Sequence, residues 1–247
     1  MKRNFILLLF IALFYLFPNS ILGAGTAETL LEYHHDVTGD GKPEKIILFG
    51  IPFESNTAFY KDVWVEIKMK GGKAIRINYE GGYEPKLDFA DLNHDGVDDI
   101  LYSSATGGSG GLYNYALHTV RNSKLLEIPL PTPLQIEGVF QNGFKAVIDI
   151  PGINKPITLD LSGRKADYLR LGLYQKNGIL NEPTELMIDP IAFFEIVKMK
   201  NNKGFGLKGY RQISGAYHAD GLGTVEVLWY YQNGKWNPVN VQWKTGR

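Results

Sequence analysis

Two stretches, DVTGDGKPE at Asp36–Glu44 and DLNHDGVDD at Asp91–Asp99, constrain this chain more than any other feature. Each sets an oxygen-bearing side chain at positions 1, 3, 5 and 9: Asp36, Thr38, Asp40 and Glu44, then Asp91, Asn93, Asp95 and Asp99. A glycine follows position 5 in both, Gly41 and Gly96, where the chain must turn sharply to gather those oxygens. An Asx-rich turn without metal needs one or two such residues, not an ordered set. Both stretches are therefore read as Ca²⁺ loops. Position 7, Lys42 or Val97, is expected to add a backbone carbonyl to the hard oxygen donors this ion takes.

The segment after each loop sets its type. An EF-hand requires a bidentate Glu at position 12 and an outgoing helix. Here position 12 is Ile47 or Tyr102, and the outgoing runs KIILFGI (Lys45–Ile51) and ILYSSA (Ile100–Ala105) are β-branched and aromatic. They read as strands. After the first loop, further strands are expected at Val63–Met69 and, past a Gly71-Gly72 turn, at Ala74–Tyr79. After the second, they are expected at Tyr115–Val120 and Leu125–Ile128. Each loop thus leads a small antiparallel meander, two copies of one unit.

This loop-then-strand unit, with its DG-x-x-[DE] core at Asp40–Glu44 and Asp95–Asp99, resembles the FG-GAP or VCBS repeats of β-propellers and secreted bacterial proteins. Thr38 departs from that pattern, which usually carries Asp or Asn there, so the resemblance implies a weaker first site. More loosely, through GGSGGLYNY at Gly107–Tyr115 and RLGLY at Arg170–Tyr174, the chain resembles exported VCBS-type proteins of endospore-forming bacteria. Some of those are described as inner spore coat proteins.

Lys2 and Arg3 precede an apolar run at Phe5–Phe17, and small residues then permit cleavage after Ala24 or Ala27. This reads as a secretory signal over residues 1–27, its apolar run shorter than the roughly 20 residues needed to span a bilayer. Export to the medium, cell wall or a spore layer is expected, with no stable membrane span after cleavage. Without Lys2 and Arg3 the charge falls just below zero, which gives no footprint for nucleic acid. Cysteine is absent, so disulfides and thiol chemistry are excluded and bound calcium is one remaining source of rigidity.

The calcium-loop region is assigned to residues 28–128 and a mixed, mainly β region to 129–247. Pro129, Pro131 and Pro133 mark the passage between them. Beyond it, Phe144–Ile150 and Pro156–Leu161 suggest a hairpin, and Arg164–Leu173 a short helix. Val225, Val227, Trp229 and Tyr231 alternate on one face, and an Asn233-Gly234 turn leads to Val239, Val241 and Trp243. The expected fold is mainly β: antiparallel meanders, propeller-like blades, with one short helix.

Gly107–Gly111 formally matches G-x-S-x-G around Ser109, but a nucleophile elbow needs a following helix and LYNYALHTV reads as a strand. Nothing in the sequence fixes His118 or His218 as its base. His94, at position 4 of the second loop, is expected to point outward. No H-x-x-x-H spacing supports catalytic zinc. The expected function is a non-enzymatic, calcium-binding structural or interaction protein with a protein or envelope partner. The alternative is an extracellular hydrolase or glycan-binding module, which a cleft of exposed Trp229, Tyr231 and Trp236 beside paired carboxylates would favour.

Overall fold

The computed structural model describes residues 25–200 and 204–246; the proposed signal segment lies outside the described residues up to Ala24. The chain is mainly β and antiparallel. Seven strands follow one another in a single meander: β1 (Glu28–His35), β2 (Glu44–Pro52), β3 (Phe59–Lys68), β4 (Ala74–Ala90), β5 (Asp99–Ala105), β6 (Tyr113–Thr119) and β7 (Leu126–Glu127). The two loop-and-meander copies are therefore one sheet, not separate blades. The reason is β4, which is long enough to end the first copy and begin the second.

β4 achieves this by bending. Its N-terminal half pairs with β3 and its C-terminal half with β5, and the register shifts between Tyr83 and Lys86. Glu84 takes a φ of 48° at the bend. Gly81 precedes it because a Cβ there would lie 2.2 Å from the Tyr60 carbonyl oxygen. The bend curls the sheet into a half-barrel. It brings β1 over the far end of β4, where the Leu87 N–H donates to Tyr33 Oη at 3.1 Å and Tyr33 meets Phe89 edge-on. Ile46, Leu48, Val65, Ile67 and Ile100 fill the interior with no measurable exposure. Each such side chain contributes about 1.5–3 kcal/mol on burial.

The rest of the chain forms a three-stranded and a five-stranded sheet. β8 (Glu137–Gln141), β9 (Lys145–Asp149) and β10 (Ile157–Asp160) run in the order β10-β9-β8. A 3-10 turn at Ser162–Arg164 enters α1 (Lys165–Arg170). This helix is shorter than expected because Gly172, at φ 72°, takes the left-handed conformation that closes it. The N–H groups of Gly172 and Leu173 return to Leu169 and Tyr168. β11 (Met187–Ile188), β12 (Phe193–Lys198), β13 (Phe205–Ser214), β14 (Gly221–Gln232) and β15 (Lys235–Thr245) complete the fold, with β13 at the centre. Asn233 and Gly234 both adopt positive φ, as a tight β14–β15 hairpin requires.

The two regions share an apolar layer: Leu101 and Leu117 of the first sheet, Leu92 of the β4–β5 loop and Ile128 just after β7 pack with Leu207 of β13. Backbone and side-chain bonds reinforce it. Tyr113 N–H donates to the Ala192 carbonyl, and the Phe194 N–H to Tyr115 Oη. Among the described residues, no helix is long and apolar enough to cross a membrane.

Candidate metal centre

The first loop joins β1 to β2. Asp36 caps the turn with both oxygens, accepting from Gly39 N–H at 2.7 Å and Gly41 N–H at 2.8 Å. Gly41 sits at φ 81°, and a Cβ there would meet nothing within 4 Å, so backbone conformation rather than space requires glycine. Asp40 accepts from Lys42 N–H, and buried Glu44 accepts from Val37 N–H and from the Thr38 hydroxyl. One carboxylate oxygen from each of Asp36, Asp40 and Glu44 lies within 4.8 Å of the others. Lys42 holds position 7 through its N–H bond to Asp40.

The second loop joins β4 to β5 and repeats the scheme with a difference. Asp91 accepts from Asp95 and Gly96 N–H, and Asp95 from Val97 N–H. Asp99 is fully buried and accepts from Leu92 and Asn93 N–H. Burial, with the nearby Asp95 charge adding to it, pushes the Asp99 carboxyl up to about 7 against those bonds. The Asn93 amide N–H groups reach both Asp95 and Asp99, and the Arg121 guanidinium stands 3.6 Å from Asp95. Two donors that a metal would have to displace are thus already in place. At position 12, Ile47 and Tyr102 are both buried.

The tertiary structure adds what neither stretch predicts. The two loops lie side by side at one end of the half-barrel. A Cβ on Gly39 would come 2.6 Å from Val97 Cγ2, and His35 Nδ1 lies 3.6 Å from Asp98. The turn after β6 spans both: Asn122 N–H donates to the Thr38 carbonyl while Arg121 faces Asp95. His94 does not point outward. At φ 62° it stacks on Tyr230 of β14 with ring centroids 4.3 Å apart, because the C-terminal sheet covers that side of the loop.

As for fit, the donors are all oxygens, mostly carboxylate, with three of them (Thr38, Glu44 and Asp99) buried; this suits a hard divalent cation such as Ca²⁺. Asp36, Thr38, Asp40 and Glu44, and Asp91, Asn93, Asp95 and Asp99, are the side chains that would hold it.

Two other sequence candidates resolve differently. Ser109 lines a cavity together with Asp189 and His218, and His218 Nδ1 lies 3.1 Å from Asp189 Oδ1. A base is thus oriented by a carboxylate, which the sequence did not reveal. Yet strand β6 rather than a helix follows the Gly107–Gly111 loop, and among the described residues no hydrogen bond joins Ser109 to His218. Trp229 is buried, Trp236 Nε1 donates to the Pro129 carbonyl at 2.7 Å, and the groove beside them is lined by no carboxylate. The aromatic cleft of the alternative reading does not form there, because these rings pack the proline passage onto the sheet.

Residues 134–244 match the family described as the YybI C-terminal domain. The chain is similar to the uncharacterized protein YybI of Bacillus subtilis (strain 168), 27% identical over an alignment of 215 residues that covers 82% of this chain and 77% of that protein. Solved structures with some likeness include the PL11 rhamnogalacturonan lyase of Bacillus licheniformis, at 14% identity and a TM-score of 0.36, and the exotype rhamnogalacturonan lyase YesX, at 16% and 0.37. The match takes in 88% of this chain, which spans only about a third of the length of those structures (34% and 33%). At such scores the likeness carries no statement on activity. These findings correct the resemblance drawn from the loops. The family model that matches, over residues 134–244 only, is the YybI C-terminal domain; no FG-GAP or VCBS repeat family is found, and the looser tie to VCBS-type and inner spore coat proteins falls with it. The motif misled because the same loop spacing serves here within one continuous curled sheet.

Proposed function

We propose that this is an exported, non-enzymatic protein in which Ca²⁺ bound at the two loops staples one end of the half-barrel, and which acts structurally or through contacts with an envelope protein. The convergence of Asp36, Asp40 and Glu44 within 4.8 Å carries the reading. A bound ion would offset the mutual repulsion of these carboxylates and hold β1 against β2. Because the loops touch through Gly39 and Val97, an ion in either would steady the other. Thr38 at position 3 ranks the first loop lower, but its three carboxylates converge, whereas Asn93 and Arg121 occupy the acceptors of the second. The first loop is therefore the better-formed site in this reading.

Thermal melts with chelator and with added Ca²⁺ test the ion, and N-terminal sequencing of extracellular material tests export. A mature start at Gly25 or Glu28 and a melting temperature raised by Ca²⁺ are expected. A secreted chain retaining Phe5–Phe17, or a Ca²⁺-independent melt, would refute the respective half.

A further inference from the structure

The end of the half-barrel remote from the calcium loops carries a row of aromatic rings in solvent. β2 leaves the first loop and ends at Pro52, and β5 leaves the second and ends at Ala105, so the segments that follow them lie at that far end. There Phe59 of β3 pairs with Tyr83 of β4, Tyr83 with Ala105 of β5, and Ala105 with Tyr113 of β6. Directly paired residues share a face, so these side chains line up across four strands, about 14 Å at the usual strand spacing. Phe53 extends the row by meeting Phe59 edge-on, as Phe59 meets Tyr83. Phe53 is 59% exposed, and Tyr83 and Tyr113 are 37% exposed each.

Short local bonds hold the row in place. The Phe53 N–H donates to the Phe59 carbonyl at 2.8 Å, and the Thr106 N–H to the Leu112 carbonyl at 2.9 Å, which closes the Gly-rich loop behind Tyr113. Gly107, at φ 80°, lies against the Tyr83 ring, where a Cβ would come 2.3 Å from Cε2. The Gly107–Gly111 motif thus passes the row without a large side chain to cover it. Contiguous apolar surface left in solvent in this way marks a contact site.

Two observations select its occupant. The described chain begins at this end: a Cβ on Gly25 would come 2.7 Å from the carbonyl oxygen of Pro52, the residue before Phe53. Residues 18–24 separate Gly25 from the apolar run Phe5–Phe17, and so short a segment reaches at most about 25 Å. In the export reading that run enters a bilayer, which delivers this end of the fold to the bilayer surface. The second observation is chemical. No lysine or arginine occurs in residues 53–58, 83–85 or 106–113, where the charged residues are Glu54 and Glu84, and Lys86 just beyond is paired with Asp88 at 2.9 Å. Anionic headgroups are therefore not attracted, whereas phenyl and phenol rings suit the interface of a bilayer without net charge. We propose that Phe53, Tyr83 and Tyr113 dock this end of the exported chain on a zwitterionic lipid surface, with the calcium loops facing away from it. The proposal rests on the export reading, since only a translocated chain starts beside a bilayer. N-terminal sequencing tests export and vesicle binding tests the lipid, so the failure of one is told from the failure of the other.

Flotation of the chain from Gly25 onward, which holds every described strand, with phosphatidylcholine vesicles tests it. The chain should float with the vesicles and remain bound in 1 M salt, where the screening length falls to about 3 Å. Phe53→Ser combined with Tyr113→Ser should weaken binding by about tenfold, because apolar contact area sets the strength of interfacial binding. Leu126→Ser should not, since Leu126 is 50% exposed but pairs with Thr119 at the calcium-loop end of β6. The chain has no cysteine, so an environment-sensitive dye on Ser55→Cys reports the row, and one on Lys124→Cys, beside the turn that faces Asp95, reports the opposite end. Vesicles should shift the emission of the first dye to the blue and leave the second unchanged, and this pair keeps the aromatic rings intact should the serine variants melt early. No flotation, flotation only with anionic phosphatidylglycerol vesicles, or equal shifts at both dyes would overturn the proposal. Binding unchanged in a folded double variant would do the same, as would a solution dimer that the double variant dissolves, which would give the row to a second copy of the chain.

Discussion

Asp40→Ala isolates the contribution of the ion from that of the fold. The Asp40 side chain is exposed, and its one bond within the loop is from Lys42 N–H at 3.0 Å. In chelator, its loss should change stability by no more than about 0.5 kcal/mol, the usual range for such surface positions. With Ca²⁺ the position matters far more, because Asp36 and Glu44 alone remain of the converging trio. Extracellular modules bind this ion with Kd of about 10⁻⁴–10⁻³ M. At ten times Kd, linkage supplies about 1.4 kcal/mol per site. For a chain of this size that corresponds to a melting rise of about 3–6 °C per site. Asp40→Ala should lose at least half of the total rise, and Asp95→Ala less, since Asp95 is already shared with Asn93 and Arg121. Differential scanning calorimetry of the three proteins in both conditions decides. A parent melt indifferent to Ca²⁺ sinks the calcium reading; a full rise kept by Asp40→Ala and lost in Asp95→Ala sinks the ranking.

Other parts of the structure make independent predictions. Asp220, nearly buried, accepts from Tyr168 Oη and Ala216 N–H and pairs with Arg164, so Asp220→Ala should cost about 3–5 kcal/mol in urea unfolding, and a cost below about 1 would show the network to be dispensable. A double-mutant cycle of His94→Asn and Tyr230→Leu should give a coupling of about 0.5–1.5 kcal/mol; additive costs would show that the stack does not tie the second loop to β14. A fluorophosphonate probe should not label Ser109, since no bond to His218 activates it, and labelling abolished by Ser109→Ala would overturn the non-enzymatic reading.

Much of the architecture could be read from local pattern. Apolar alternation located most strands to within a few residues, and Asn233-Gly234 placed the last hairpin where both residues take positive φ. The chain's own punctuation explains the misses. Gly172 ended α1 before Leu173, and the strand expected at Leu125–Ile128 shrank to Leu126–Glu127. The run expected to end at Tyr79 continued to Ala90, because Gly81 and Gly82 allow close approach of neighbouring backbone and so bend a strand instead of stopping it.

The order of oxygens and glycines in Asp36–Glu44 and Asp91–Asp99 was written in the sequence, because each loop closes on itself through bonds spanning at most seven residues. Which loops meet, and what else they touch, was not. Gly39 against Val97, Arg121 against Asp95 and His94 on Tyr230 join residues far apart in the chain, and only the bend in β4 and the shared apolar layer bring them together. The same holds for the cavity where Tyr79 stacks on Tyr102 beside His118. Nothing in the sequence links them, and the cavity between them exists because the pairing of β4 with β5 begins only at Tyr83. Period and turn chemistry are local properties that a sequence displays directly; curvature is a sum over many strand pairs, and only the folded chain performs it.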